Sequence, residues 1–282
     1  MVSEIIFAAG CFWGVQATFD KIYGILKTEA GYIGGKIKNP TYEDVCGGLT
    51  GYAEAVCIKY DSKVISLGEL LDVFFMIHDP TTKDRQGPDY GTQYRSGIYY
   101  CHISDKKIIL DKIKQYSSYF DNPILTEVKK ATVFWPAESY HQKYFEKHQE
   151  SVCRLTEANK ERFLQKKLMP EQYWVMRGQG TEPPFSGKYI YTDEVGVYHC
   201  AACGQKLFHS DSKFQSDCGW PAFNQAIDGS IKIYKDFTHF LIRDEVVCSR
   251  CGSHLGHVFD DEKTKTGLRY CINSIALNFE EK

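Results

Sequence analysis

Glu4-Ile5-Ile6-Phe7-Ala8-Ala9-Gly10-Cys11-Phe12-Trp13-Gly14 begins with a short apolar run containing β-branched residues and breaks it at Gly10. From residue 12 to residue 25 the apolar positions then recur near helical spacing. The pattern predicts strand, tight turn, helix, with Cys11 at the helix start. A cysteine reacts as its thiolate, and a helix N-terminus favours negative charge, so this position is expected to lower the thiol pKa. Phe12 and Trp13 would form an aromatic wall beside it.

The same alternation continues downstream. Residues 28–61 read as a glycine- and tyrosine-rich loop followed by a strand at 53–60. Residues 66–77 carry a serine cap and a helical apolar pattern, 96–101 read as a strand, and 104–120 and 137–149 as helices. Strands alternating with helices predict an α/β or α+β first part. Residues 154–167 turn charged and keep one aromatic, Phe163, so they are the candidate linker, open to being helical in part, with Met169-Pro170 at its end. Beyond residue 168, short strand-like runs (188–192, 196–200, 231–234, 238–242, 245–248 and 268–272) are separated by Gly, Asp and Ser clusters. That spacing predicts a small, mainly β domain. The expected division is 1–153, a linker at 154–167, and 168–282.

Composition sets limits on function. A chain of 282 residues, 43% of them hydrophobic, is comfortable with two cores. The net charge of −2 points to neither nucleic acid nor an anionic membrane. No apolar run reaches the ~18 residues of a membrane helix. The N-terminus shows no signal-peptide pattern. Eleven cysteines, an odd number, in a long chain without an export signal favour reduced thiols plus a metal, hence a cytoplasmic location.

Four of those cysteines form the pairs Cys200/Cys203 and Cys248/Cys251, each followed at once by glycine, Gly204 and Gly252. Such Cys-x-x-Cys-Gly turns are the spacing of zinc knuckles, and the 44 residues between them suit a clip on a larger domain. A closed four-thiolate site would be structural. Redox dithiols, reduced core cysteines and an iron–sulfur cluster are the alternatives.

Around Cys11 stand one possible acid (Glu54), two phenol donors (Tyr42 and Tyr94) and a carboxylate (Asp89). The second cysteine-centred run is Gly267-Leu268-Arg269-Tyr270-Cys271-Ile272-Asn273-Ser274. Alternation along a strand would place Arg269, Cys271 and Asn273 on one face, with the arginine lowering the thiol pKa. His254 and His257 offer two imidazoles near neutral pH. Cys218, close to Trp220, adds a further thiol.

Gly10 through Gly14, Tyr42 through Cys46, Gly51 through Glu54 and Gly91 through Ser96 strongly resemble the A-type peptide-methionine sulfoxide reductases, over roughly residues 4–153. The resemblance implies that Cys11 is the nucleophile on the sulfoxide sulfur and Glu54 the acid on its oxygen. Tyr42 and Tyr94 would hydrogen-bond that oxygen, Phe12 and Trp13 would hold the S-methyl group, and Asp89 would join the polar cluster. His141-Gln142-x-Tyr144 resembles the family's C-terminal segment and makes Cys153 the candidate resolving thiol. The usual Asn-Pro-x-Gly-Tyr-Cys ending is here His148-Gln149-Glu150-Ser151-Val152-Cys153, so Cys46 and direct reduction stay open. Cys57 and Cys101 read as strand core residues.

Thr181 through Tyr189, Cys218 through Phe223, Gly252 through Phe259 and Gly267 through Ser274 resemble the B-type reductases over roughly residues 168–282. This implies Cys271 as nucleophile and Cys218 as resolving thiol. His257 and His254 fall on sulfoxide-binding and acid positions, Arg269 and Asn273 on the polar shell, and Trp220 on the methyl pocket. The four clip cysteines match the zinc ligands of that family's zinc-bearing branch.

Together the resemblances imply a fused reductase: a two-layer α/β sandwich with a mixed sheet, then two antiparallel sheets with one structural zinc. They also imply S-epimer reduction at the first domain, R-epimer reduction at the second, and thioredoxin as reductant. No flavin or nicotinamide motif is present. Two rival classes compete. A zinc module fused to a thiol redox sensor would need neither the tyrosines nor the histidine pair. A general thiol–disulfide oxidoreductase would carry Cys-x-x-Cys at a helix start, which Cys11 lacks.

Overall fold

The computed structural model describes residues 1–148, 153–237 and 242–282. The chain divides into two compact units, Met1–Phe163 and Leu164–Lys282.

In chain order the first unit has β1 (Val2–Ala9), α1 (Phe12–Phe19), β2 (Ile25–Ile33), α2 (Tyr42–Cys46), β3 (Ala53–Asp61) and α3 (Leu67–Ile77). These are followed by the short hairpin β4 (Arg85–Gln86) and β5 (Asp89–Tyr90), then β6 (Ser96–Tyr100), α4 (Asp105–Tyr116), β7 (Glu127–Lys130), β8 (Trp135–Pro136) and α5 (Tyr144–Lys147). One sheet runs in the order β7-β6-β1-β3-β2-β8. Its β6–β7 pair is parallel and the others are antiparallel, so the sheet is mixed, as expected. Helix α3 is nucleated by a reciprocal capping box between Ser66 and Glu69. It packs Phe74 on Phe7 of β1 with ring centroids 4.9 Å apart, and Phe7 meets Phe19 of α1 at 5.4 Å. All three rings are fully buried. Each contributes about 1.5–3 kcal/mol of transfer free energy, and together they fix α1, and so Cys11, against the sheet.

Some local readings give way to tertiary structure. Residues 28–33, expected as loop, belong to β2. Its Gly31 reads as a strand breaker, yet a Cβ there would collide with the Trp135 carbonyl of β8, so the close strand approach demands glycine. Helix α1 stops at Phe19, because Gly24 takes φ +95° and Ile25 pairs with Tyr60 of β3. The helix expected at 137–149 contracts to the single turn α5. Gln142 spends its side chain on the Ala30 backbone and the Ala137 carbonyl, and Lys143 adopts a left-handed φ of 55°; residue 149 lies outside the described residues. The stretch expected as a linker forms helix α6 (Arg154–Lys167). Within the first unit, its Asn159 donates to the Ile77 carbonyl at 3.3 Å and its Phe163 stacks on Tyr116 at 5.6 Å.

The second unit continues with α7 (Pro170–Gly178), where Pro170 starts a helix because its missing N–H is no loss in the first turn. Then come β9 (Gly196–Cys200), β10 (Lys206–His209), β11 (Lys213–Phe214), β12 (Ala222–Phe223), β13 (Ile231–Asp236), β14 (Arg243–Cys248), β15 (His254–Asp260), β16 (Leu268–Ile272) and β17 (Leu277–Glu281). They form two antiparallel sheets, β10-β9-β17 and β11-β12-β16-β15-β14-β13. Phe208 and Phe223 stack at 4.3 Å in the core between them, with Tyr198 against Phe223 at 5.0 Å. Residues 188–192 are turns rather than the strand expected, held by Tyr189 N–H donating to Ser274 Oγ at 2.8 Å. Of the run expected at 238–242, residues 238–241 lie outside the described residues.

Candidate active sites

In the first unit Cys11 follows Gly10, whose φ of +89° and Cβ-less approach to Gln86 (2.7 Å) make the turn possible. Cys11 is the N-cap residue of α1. Glu54, from β3, is 1% exposed and accepts the Phe12 N–H at 3.0 Å, which brings its carboxyl to the start of α1. Burial pushes Glu54 up to about 8; the Phe12 N–H opposes this and the charge of Asp89 adds to it. The carboxyl is therefore largely protonated at neutral pH.

Cys11 departs from the expected lowering. Burial raises its pKa, the negative charge of Glu54 raises it further, and the Trp13 N–H opposes them less effectively. A helix terminus contributes a partial charge only, which desolvation of a thiolate outweighs. In the substrate-free site the thiol and the acid are both neutral. Burial also holds Tyr42 and Tyr94 above the ordinary phenol range, so both remain O–H donors. Asp89 is raised by burial.

The aromatic wall contains a residue given no role from sequence. His141, 2% exposed, accepts the Trp13 indole N–H on Nδ1 at 3.1 Å. Its ring centroid lies 5.1 Å from Phe12 and 4.5 Å from Tyr42. Burial keeps it neutral, so the proton is on Nε2, an atom without a hydrogen-bond partner among the described residues. Tyr144 stacks on Trp13 at 3.7 Å. The short His-Gln-x-Tyr spacing was the only local signal for either residue.

Two further thiols approach this site. Cys153 Sγ lies 2.8 Å from where a Cβ on Gly14 would be, so Gly14 of α1 is the seat for Cys153, three residues from Cys11. Cys46, at the end of α2, is exposed.

In the second unit Cys271 on β16 lies opposite His257 on β15. Arg269 donates from Nη1 to Cys271 Sγ at 3.1 Å and from Nε to Asp261 at 3.0 Å, so the carboxylate aims the guanidinium at the sulfur. His257 Nε2 donates to Asp236 at 2.9 Å, and His254 Nδ1 to Glu245 at 2.7 Å. A register irregularity at Val246/Val247 brings the two imidazoles, three residues apart, to a ring-centroid distance of 5.4 Å. Asn273 lies one residue past the end of β16, and both its polar ends serve backbone: Oδ1 accepts from Glu182 N–H at 3.0 Å and Nδ2 donates to the Leu255 carbonyl at 3.0 Å. Cys218 Sγ donates to the Trp220 carbonyl at 3.3 Å. The interaction between Cys218 and Cys271 pushes Cys218 down to about 5 and Cys271 up.

The clip cysteines also converge. Cys200, Cys203, Cys248 and Cys251 are buried, with their sulfurs within 4.8 Å of one another. Cys200–Cys251 and Cys203–Cys248 are 3.7 and 3.5 Å apart. Tetrahedral zinc with Zn–S near 2.3 Å requires about 3.8 Å. The two turns match: Gly204 N–H returns to Cys200 O at 2.8 Å and Gly252 N–H to Cys248 O at 2.9 Å, with φ of +74° and +73°. The donor set fits zinc.

Residues 3–173 match the peptide methionine sulfoxide reductase family. The chain belongs to that family. Residues 168–281 match the SelR domain, so a second sulfoxide reductase unit is fused behind the first. Mxr1 of Saccharomyces cerevisiae, in its reduced form, is similar at 38% identity and a TM-score of 0.52, covering 55% of this chain and 91% of its own. Methionine sulfoxide reductase A of Corynebacterium diphtheriae is similar at 32% identity and a TM-score of 0.52, covering 54% and 78%. The protein is thus a peptide-methionine sulfoxide reductase. The carboxylates that orient the second site (Asp236, Glu245 and Asp261) were not apparent from sequence, since a lone acid on a strand carries no signal of its partner.

Proposed function

We propose that the first unit reduces the S-epimer of methionine sulfoxide and the second the R-epimer, each through its own cysteine. The division of epimers follows the family resemblance. The observation that supports the chemistry is a neutral carboxyl, Glu54, buried at the start of the helix that Cys11 caps.

A sulfoxide oxygen carries partial negative charge. Glu54 gives it a proton while Tyr42 and Tyr94 donate hydrogen bonds, which makes the sulfur electrophilic. Phe12 and Trp13 enclose the methyl group. The sulfur of Cys11 attacks, the S–O bond breaks, and the oxygen leaves with cysteine as sulfenic acid while the thioether departs as methionine. A second thiol then displaces the hydroxyl as water and forms a disulfide. Cys153, seated on Gly14, is the resolving thiol of this reading.

At the second site Cys271 attacks, with Arg269 stabilising its anion, and Cys218 receives the proton of Cys271 and later resolves the sulfenic acid. His257 and His254 serve the sulfoxide oxygen, and Trp220 packs against the methyl group. Thioredoxin regenerates both sites by thiol–disulfide exchange. Among the described residues no helix is long and apolar enough to cross a membrane, and we place the protein in the reducing cytoplasm, where it repairs oxidised proteins.

The reading is tested by mapping disulfides after one turnover with each epimer. The S-sulfoxide is expected to yield Cys11–Cys153 and the R-sulfoxide Cys218–Cys271. A Cys11–Cys46 bridge would transfer the resolving role to Cys46.

One structural zinc is proposed at the four clip cysteines. It would hold the two knuckles together and take no part in the reaction. Metal analysis should find one zinc per chain. Stripping it under denaturing conditions should cost R-sulfoxide reduction and leave S-sulfoxide reduction recoverable on refolding. A metal-free, fully active protein would reject the clip.

A further inference from the structure

We propose that Glu182 is a positioning residue of the second site, holding the Trp220 indole and the Asn273 amide at a fixed distance from Cys271; this rests on reading that site as the R-sulfoxide centre. Glu182 is 8% exposed and lies outside the reacting groups. Every polar part of it is used. Its carboxylate accepts the backbone N–H groups of Ser274 and, at 3.1 Å, Ile275, the turn that leaves β16 three residues after Cys271. Its own N–H donates to Asn273 Oδ1 at 3.0 Å. Its carbonyl accepts the Trp220 indole N–H at 3.1 Å.

The neighbouring chain is bonded the same way. Phe185 N–H donates to the Gly219 carbonyl at 2.8 Å, and Gly219, at φ +89°, lies against Pro184. Tyr189 N–H donates to Ser274 Oγ at 2.8 Å. A side chain on Gly187 would meet Ser274 and, at 2.9 Å, the Glu182 carboxylate. Residues 182–189 therefore bridge the loop that carries Cys218 and Trp220 to the strand that carries Cys271. Glu182 is where the two sets of bonds cross. Burial raises the Glu182 pKa and the Ser274 and Ile275 N–H donors oppose it; in a buried site such bonds are at their strongest.

The test uses the full chain, because the first unit reports folding and assay quality. Glu182→Gln keeps one acceptor oxygen and turns an amide NH₂ toward the second N–H; Glu182→Ala removes both acceptors. The expected loss in R-sulfoxide kcat/KM is about 10- to 100-fold for alanine, from the weight of hydrogen bonds to a charged group. Glutamine should be intermediate, and the larger part of the loss should appear in KM. S-sulfoxide turnover should not change.

A second readout does not use activity. With 5-fluorotryptophan incorporated, the four tryptophans give ¹⁹F signals, and Trp220→Phe identifies the one that belongs to Trp220. Glu182→Gln should shift that signal and leave the other three in place. Wild-type R-sulfoxide KM and kcat in Glu182→Gln, with an unmoved Trp220 signal, would overturn the proposal. So would a uniform shift of all second-unit signals with loss of zinc, which would make Glu182 a general fold clamp. Failure of the wild-type chain to reduce the R-sulfoxide would instead reject the reading of the site, and the Trp220 signal would still judge Glu182.

Discussion

Cys11→Ser is expected to abolish reduction of the S-sulfoxide and to leave reduction of the R-sulfoxide at the wild-type rate, with Cys271→Ser doing the reverse. Serine preserves volume, so neither core is disturbed; Cys271 is 8% exposed and sits in a sheet that tolerates little change. A hydroxyl cannot take up the sulfoxide oxygen as a sulfenic acid or close a disulfide, so the loss is complete rather than partial. Separation follows from the geometry. Cys11 has Glu54, its proposed acid, bonded to the next residue's N–H, and Cys153 seated on Gly14. Cys271 has Arg269 at 3.1 Å and interacts with Cys218, whose pKa it lowers. An epimer-resolved assay in which either variant lost both activities equally would contradict two independent sites.

Glu54→Gln is expected to slow S-sulfoxide reduction by about 10²–10⁴, the usual contribution of a general acid. The amide oxygen can still accept the Phe12 N–H, so the turn at Cys11 persists and only the transferable proton is lost. The pH profile gives the sign. In the proposed mechanism Glu54 acts in its protonated form, and burial lifts it to about 8, so S-sulfoxide kcat/KM should fall as pH rises through about 8. The variant should lack that limb, and R-sulfoxide reduction, served by other groups, should not show it. An unchanged rate in Glu54→Gln, measured with the S-sulfoxide at saturating reductant, would remove Glu54 from the mechanism.

The strand-and-turn contexts of Cys11 and Cys271, the cysteine knuckles, helix α3 with its Ser66 cap and the β character of the second unit were all legible along the chain. Each depends on neighbours a few residues away: an apolar period, a capping side chain, a glycine after a Cys-x-x-Cys. Strand β2 was not legible, because Gly31 answers to Trp135, a hundred residues later. Nor was the role of His141, which gains meaning only when Trp13, 128 residues distant, donates to it.

Residue order was enough to mark Cys11 and Cys271 as candidate nucleophiles, four cysteines as a candidate clip, and the acids and phenols of the proposed site, through spacing and through the family resemblance. Folding settled their protonation. Burial, not the helix terminus, governs the thiol of Cys11 and the carboxyl of Glu54, and interaction across loops moves the pKa values of Cys218 and Cys271 in opposite directions. Solvent exclusion and through-space charge depend on chain segments far apart in number, and no local window contains them.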